Sequence, residues 1–346
     1  MIPKFLIDKY KSIRKKSYLD KISGYKYKYG FIGVGSHSIA NLYPCIKYLN
    51  IPLKYILTKN KQHADKMAAC FVDCAGIDDL SVILNDDDIK GVFICTQSLV
   101  QNELTKKCLA ANKHVFVEKP PAFSSNELAD LIKIQNENVC VVGLQRRFST
   151  VNKLLHQFRK QIQHYHYRYL TGAFPDGDEI YELFIHPVDN IVRLFGNASI
   201  DHLFKSNFNG NSTINIHFRH DNNINGFVEL STNHSWSSAC EYLEINTEKE
   251  ILQCHYPNSL VGIKKGQSLM NIPLEKLFKQ PLTQHIYFNN NGFSPMIDNN
   301  DLFVKGFYGE VEHFVNCTEA NKKDELGNLV SLKNTYYILD QLKKTK

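Results

Sequence analysis

Glu182, His186 and Asp189 stand at offsets of four and three, a spacing that puts their side chains on one face if the segment is helical. An imidazole, with an ordinary pKa of about 6.5, can take or return a proton close to neutrality. His186 is therefore the candidate acid/base, with Asp189 to orient the imidazole or hold a substrate hydroxyl and Glu182 as a secondary polar contact. Pro187 tolerates only the first turn of a helix, which predicts a helix that starts close to His186, with Glu182 just before it. Far upstream, Val115-Phe116-Val117-Glu118-Lys119-Pro120-Pro121 offers a cation. The apolar residues predict a buried strand, and proline, unable to donate the next ladder hydrogen bond, stops it at Lys119. An ammonium at a strand's carboxyl end can reach a ligand in the crevice of an open parallel sheet while Glu118 balances its charge. A cation that polarises an oxygen, together with a group that moves its proton, suits the interconversion of an alcohol and a carbonyl.

Such chemistry needs a hydride carrier, and Gly33-Val34-Gly35-Ser36-His37-Ser38 has the form of a dinucleotide turn. The first glycine allows the tight turn, the second lets a pyrophosphate approach the backbone at the helix start, and Ser38 is the small third residue that permits close helix packing. After the next strand stands Thr58-Lys59-Asn60-Lys61, where a receptor for the ribose hydroxyls of NAD would be acidic. A hydroxyl flanked by ammonium groups suits a 2′-phosphate, so the expected cofactor is NADP(H), with NAD(H) as the alternative. Thr96 and Gln97 follow a further strand, and Gln101 lies on the helix after it; these three are expected on the nicotinamide-ribose side. Gln145 and Arg146 are expected to reach the cofactor, and Arg147 an anionic substrate.

These residues need a scaffold, and from Tyr29 the chain alternates strands with helices of a length that implies a doubly wound parallel sheet. Strands are expected at Tyr29 to Val34, Leu53 to Leu57, Val92 to Cys95, Val115 to Val117 and Val139 to Val142. Ser124-x-x-Glu127 is a capping box. Beyond Arg147 the pattern shifts to long β-like runs at His164 to Leu170, Ile214 to Arg219, Gly226 to Ser231, Glu241 to Asn246 and Glu250 to His255, which predict a mostly antiparallel sheet. Gly196 is the expected stop of the His186 helix, and helical patterns at Gly309 to Ala320 and Leu326 to Lys343 close the chain. The expected fold is α/β: a basic extension over 1–28, a dinucleotide-binding domain over 29–147 and a second α/β domain over 148–346.

The length of 346 residues, with 43% apolar and 22% charged residues, fits two globular domains. The net charge of +6 gathers in the first 28 residues, where nine lysines and arginines face two aspartates; this lead is expected to be solvated, with no nucleic-acid or membrane partner. No run approaches a membrane span and no secretory core is present, so a cytoplasmic protein with reduced thiols is expected. Neither Cys70 with Cys74 nor His164 with His166 has the further ligands a metal needs. Tyr165, Tyr167 and Tyr169 alternate with those histidines and are expected to pack inward.

With Gly33 and Gly35, Glu118-Lys119-Pro120 and Gly143-Leu144-Gln145-Arg146-Arg147-Phe148 appearing in order, the chain from Tyr29 onward resembles the Gfo/Idh/MocA family of NAD(P)-dependent oxidoreductases. The resemblance implies a Rossmann domain followed by a domain whose open sheet forms a homo-oligomer interface, giving a dimer or tetramer. It implies that Lys119 touches substrate and nicotinamide, and it gives Glu182, His186 and Asp189 as a second signature. Glu182 stands where the family usually has aspartate, Phe184 where it has glycine, Gln97 where it has proline and Gln101 where it has histidine, departures that bear on substrate specificity. The implied substrate is a sugar, cyclitol or sugar derivative. The alternatives are a dihydrodiol or tetrapyrrole reductase, or a non-catalytic NADP sensor.

Overall fold

The computed structural model describes residues 3–20, 24–175, 177–270, 272–279, 281–293, 299–323 and 326–345. Six strands, β1 (Lys28–Ile32), β2 (Leu53–Leu57), β3 (Ala75–Ile77), β4 (Ile89–Ile94), β5 (His114–Glu118) and β6 (Cys140–Gly143), form one sheet in the order β3-β2-β1-β4-β5-β6. Every pairing in it is parallel. The expected doubly wound sheet is present, and β3 adds a strand too short, with its alanine and glycine, to announce itself in the sequence. The order reverses between β1 and β4, and the crevice outside the carboxyl ends of those two strands is where such sheets take ligands.

Two helix starts are written locally. Asn60 accepts from the amides of Gln62 and His63 at the start of the helix Lys61–Ala68, and before the helix Ser125–Gln135 the Ser124 hydroxyl accepts from the Glu127 amide while the Glu127 carboxylate accepts from the Phe123 amide, a capping box shifted back by one residue. The core of this unit is aromatic. Phe31, Phe93 and Phe116 lie on adjacent strands with ring centroids 5.8 and 5.5 Å apart, and Phe314 meets Phe93 edge-on at 5.0 Å. A Cβ on Gly91 would come within 2.7 Å of the Tyr29 ring, so glycine there makes room for the cluster.

Phe314 shows why a single cut after Arg147 does not divide the molecule. The chain forms two compact units, one of residues 1–121, 130–143 and 310–328, the other of 122–129, 144–309 and 329–346. Most of the helix Phe307–Ala320 belongs with the first sheet because its aromatic side chain completes that core. The basic lead belongs to the first unit as a helix, Lys4–Asp20, on which Phe5, Tyr10 and Ile13 are exposed.

The second unit is built on β7 (Ile162–Leu170), β8 (Ala198–Phe208), β9 (Asn211–His220), β10 (Asn225–Ser231), β11 (Cys240–Thr247), β12 (Glu250–His255) and β13 (Ser259–Lys264). Past the short pair β14 (Ser268–Leu269) and β15 (Ile272–Pro273), β16 (Gln284–Asn289) completes the set. The order is β16-β13-β12-β11-β7-β10-β9-β8, antiparallel except for β7 with β10. Tyr165, Tyr167 and Tyr169 point inward as expected, and Tyr165 stacks at 3.8 Å on Phe195 of the helix Ile185–Phe195. The expectation lacked β8, β13 and β16. Much of β8 and β16 is exposed, and they lie at the two edges, so their residues carry little apolar alternation for a reader to find.

Candidate active site

In the first unit the glycine turn sits at the switch point. Gly33 has φ +113°, and a Cβ on it would fall 1.9 Å from the Cys95 carbonyl at the end of β4. Only glycine fits there. Gly35 is the opposite case, since a Cβ on it would meet nothing within 4 Å. Its backbone faces open space of the kind a pyrophosphate needs. Ser38 does more than stay small: its hydroxyl accepts from the Gly35 amide at 2.9 Å and donates to the Gly35 carbonyl at 3.0 Å, closing the turn. The Tyr43 hydroxyl donates to the Gly33 carbonyl at 3.0 Å. Ser36 and His37 are exposed in the first turn of the helix that follows.

Lys119 stands one residue past β5, half-buried, at the carboxyl edge. Glu118 is buried, and its carboxylate meets the His37 ring at 3.1 Å and accepts from the Lys119 amide at 3.3 Å. The structure thus links the glycine turn to the Glu-Lys-Pro strand end through a histidine–carboxylate pair. Burial, with the Glu118 charge adding to it, pushes the Cys95 thiol well up, so it stays neutral beneath the crevice. Thr96 is half-exposed and Gln97 exposed at the end of β4, in the expected position. Gln101 does not line the crevice. It is buried, and its amide donates to the carbonyls of Lys119 and Pro120 at 3.4 and 3.3 Å, securing the strand end from behind. Thr58 and Lys59 follow β2, with Lys59 exposed; Lys61 instead pairs with Asp65 at 3.0 Å.

In the second unit, Glu182 lies in a π-helical turn, Glu179–Leu183, directly before the helix Ile185–Phe195. His186 and Pro187 fall in that helix's first turn and Gly196, at φ +96°, ends it, as the sequence predicts. The Glu182 carboxylate accepts from the Asp178 amide at 3.1 Å and so caps its own turn. Three expectations need correction. Asp189 is buried, and its carboxylate takes two bonds from the Arg147 guanidinium at 2.8 and 2.5 Å plus the Thr335 hydroxyl at 3.3 Å. That pairing, rather than orientation of His186 or a substrate contact, fills its lone pairs. Arg147, only 3% exposed, is accordingly committed inside the unit and does not present its charge to an anionic substrate. Arg146 is likewise committed inside the unit: it grips Glu241 through bonds of 2.8, 3.0 and 2.5 Å. Glu241 also accepts from the Tyr167 hydroxyl, and Asn190 joins Tyr167, Tyr256 and Asn152 into the same buried network. Gln145 is half-buried in the short turn Gln145–Phe148 that carries both arginines.

Sequence reasoning missed Glu241, whose partner is 95 positions away, and Glu310, a fully buried acid in the first unit. The signal for Glu310 was available. With Phe307, Val311 and Phe314 it falls on the apolar stripe of its helix, where a charge is out of place.

Residues 27–145 match the model of an oxidoreductase family with an NAD-binding Rossmann fold, GFO_IDH_MocA. Over that dinucleotide-binding region the chain is similar to the Gfo/Idh/MocA oxidoreductases. Among relatives, 4-carboxy-2-hydroxymuconate-6-semialdehyde dehydrogenase of Sphingobium sp. is 33% identical over 103 residues, which are 29% of this chain and 33% of that protein. The scyllo-inositol 2-dehydrogenase (NADP(+)) IolW of Bacillus subtilis is 26% identical over 191 residues, 49% of this chain and 52% of the relative. The chain therefore matches about a third and about half of these two proteins' lengths. A solved levoglucosan dehydrogenase, in complex with NADH and levoglucosan, superposes with a TM-score of 0.75 at 16% identity, covering 92% of this chain and 96% of the other. At that identity the likeness speaks to the fold alone.

Proposed function

We propose that this protein is an oxidoreductase that moves a hydride between a nicotinamide dinucleotide and a hydroxyl- or carbonyl-bearing carbon of a sugar, cyclitol or sugar derivative. The observation that carries the reading is Lys119 at the carboxyl end of β5, in the same sheet whose switch point holds an open Gly35 and a His37–Glu118 pair. That cradle fits a dinucleotide: the turn is closed by its own serine, and the space a Cβ would take at Gly35 is left vacant. The names of IolW and of levoglucosan dehydrogenase support the polyol class.

When bound, the nicotinamide accepts or supplies the hydride. Lys119 holds and polarises the substrate oxygen with its ammonium, and His186 takes the hydroxyl proton in oxidation or returns it in reduction. Glu182 contributes a polar contact. The Arg147–Asp189 pair holds the short turn Gln145–Phe148 to the helix that carries His186. NADP(H) is the proposed nucleotide because no carboxylate follows β2 and Lys59 is exposed there. A homo-oligomer is proposed through the outward face of the second sheet, where Phe204 and Phe227 are exposed.

Titration with NADPH and NADH by nucleotide fluorescence, followed by a polyol screen, tests the reading. Lys119→Ala and His186→Ala are each expected to lower turnover by about 100-fold or more with nucleotide affinity kept. Unchanged turnover in both variants sinks the assignment.

A further inference from the structure

Glu310 has no part in the chemistry above. Its helix runs antiparallel to the strands of the first sheet. Near the far end, the Glu319 carboxylate accepts from the amides of Lys26 and Tyr27, each at 3.0 Å, and from the Tyr29 hydroxyl at 3.1 Å, all at the start of β1. Midway, Phe314 packs on Phe93 and Phe116. One turn back toward the helix start, the same face brings Glu310 to the level of the strands' carboxyl ends.

The side chain is fully buried, and neither carboxyl oxygen has a hydrogen-bond partner among the described residues. An ionised carboxylate left so would be strongly unfavourable, and holding a proton avoids that. The groups that act on it come from each neighbouring element. The Cys45 thiol, pushed up to about 12 by burial and then by Glu310 itself, and the Cys95 thiol, raised in the same way with Glu118 adding more, are neutral. Glu118 ends β5 and is the charge that opposes ionisation of Glu310; beyond it stand His37, paired to Glu118, and Lys119. Burial first and Glu118 second push Glu310 well above the carboxylate range.

We propose that Glu310 is a positioning residue: a neutral acid beneath the strand ends that leaves the Glu118 carboxylate to hold His37 and the Lys119 amide in place for the dinucleotide. A second carboxylate would compete for His37 and set two negative charges under the turn that the anionic pyrophosphate approaches. The idea rests on the dinucleotide reading of the site, but its central claim is tested apart from it.

The first measurement is denaturant unfolding of wild type and Glu310→Gln across about pH 5 to 8. A proton held in the fold and lost from the unfolded chain makes wild-type stability fall relative to Glu310→Gln by about tenfold in the folding constant per pH unit. Parallel curves overturn the neutral acid. The second is NADPH and NADH affinity of both proteins at about pH 7. The glutamine variant, which holds the neutral form permanently, is expected to bind within about twofold of wild type, and a Glu310→Gln variant weaker by about tenfold or more overturns the positioning role. If neither nucleotide binds wild type, the dinucleotide reading falls and the positioning role falls with it, while the unfolding curves still decide the proton.

Discussion

Both units place charged groups at the ends of regular elements, yet the two do opposite things with them. In the second unit the charges close on each other. Arg147 meets Asp189 at 2.5 Å with both side chains almost wholly buried, and Arg146 meets Glu241 at the same distance. In the first, Gly35 faces open space, Lys119 is half-buried and Lys59 stands in solvent. A charge beside a strand or helix end is a candidate for ligand work when the fold leaves it accessible. Matched pairs in a low-dielectric interior hold structure.

The sharpest way to break this comparison is at the two glycines. Gly33→Ala is expected to destabilise by about 4 kcal/mol or more, because both its φ and the Cys95 carbonyl forbid a side chain. Gly35→Ala is expected to leave stability within about 0.5 kcal/mol while nucleotide affinity drops about tenfold. Equal unfolding midpoints for the two variants would remove the distinction between a glycine the fold needs and one the ligand needs.

Next comes the closed pair. Arg147→Ala leaves Asp189 as a buried, uncompensated charge and is expected to cost about 3–5 kcal/mol, whereas replacing both partners by apolar residues of similar volume costs much less. A single variant within about 1 kcal/mol of wild type in chemical denaturation would mean that the pair is not closed in solution. On the open side, Lys59→Ala is expected to leave stability unchanged and weaken NADPH about tenfold with NADH untouched. A wild-type preference for NADH in the same titration removes the 2′-phosphate contact. The smallest effect belongs to His156 in the second unit, which burial, Arg159 and Arg193 pull down to about 4. Because the folded value lies below the unfolded one of about 6.5, its contribution is present above that pH and is lost as pH falls toward 4. His156→Gln should flatten the decline in melting temperature over that window, and an unaltered slope would count against it.

How much of this was legible follows the same division. The glycine turn and proline stop of the first unit and the capping box of the second each act within a few residues, so Gly33, Lys119 and the Ser124 cap were found where the structure has them. The His186 helix was legible for the same reason, since Pro187 and Gly196 fix its ends. The partners of Arg146, Arg147 and Asp189 were not, because which acid closes on which arginine is decided by packing between segments far apart in sequence. Edge strand β8 was hidden by its exposure, and Glu310 by the habit of reading glutamate as surface.

The helix Phe307–Ala320 carries a consequence for synthesis. All six strands of the first sheet leave the ribosome long before the segment that supplies Phe314, so the ring cluster of Phe31, Phe93 and Phe116 is finished only after the helix Phe307–Ala320 has been made. Until then a nascent chain displays an uncovered aromatic surface of the sort chaperones hold. For the same reason a fragment ending at residue 147 would carry every dinucleotide motif and still lack the lid of its own core.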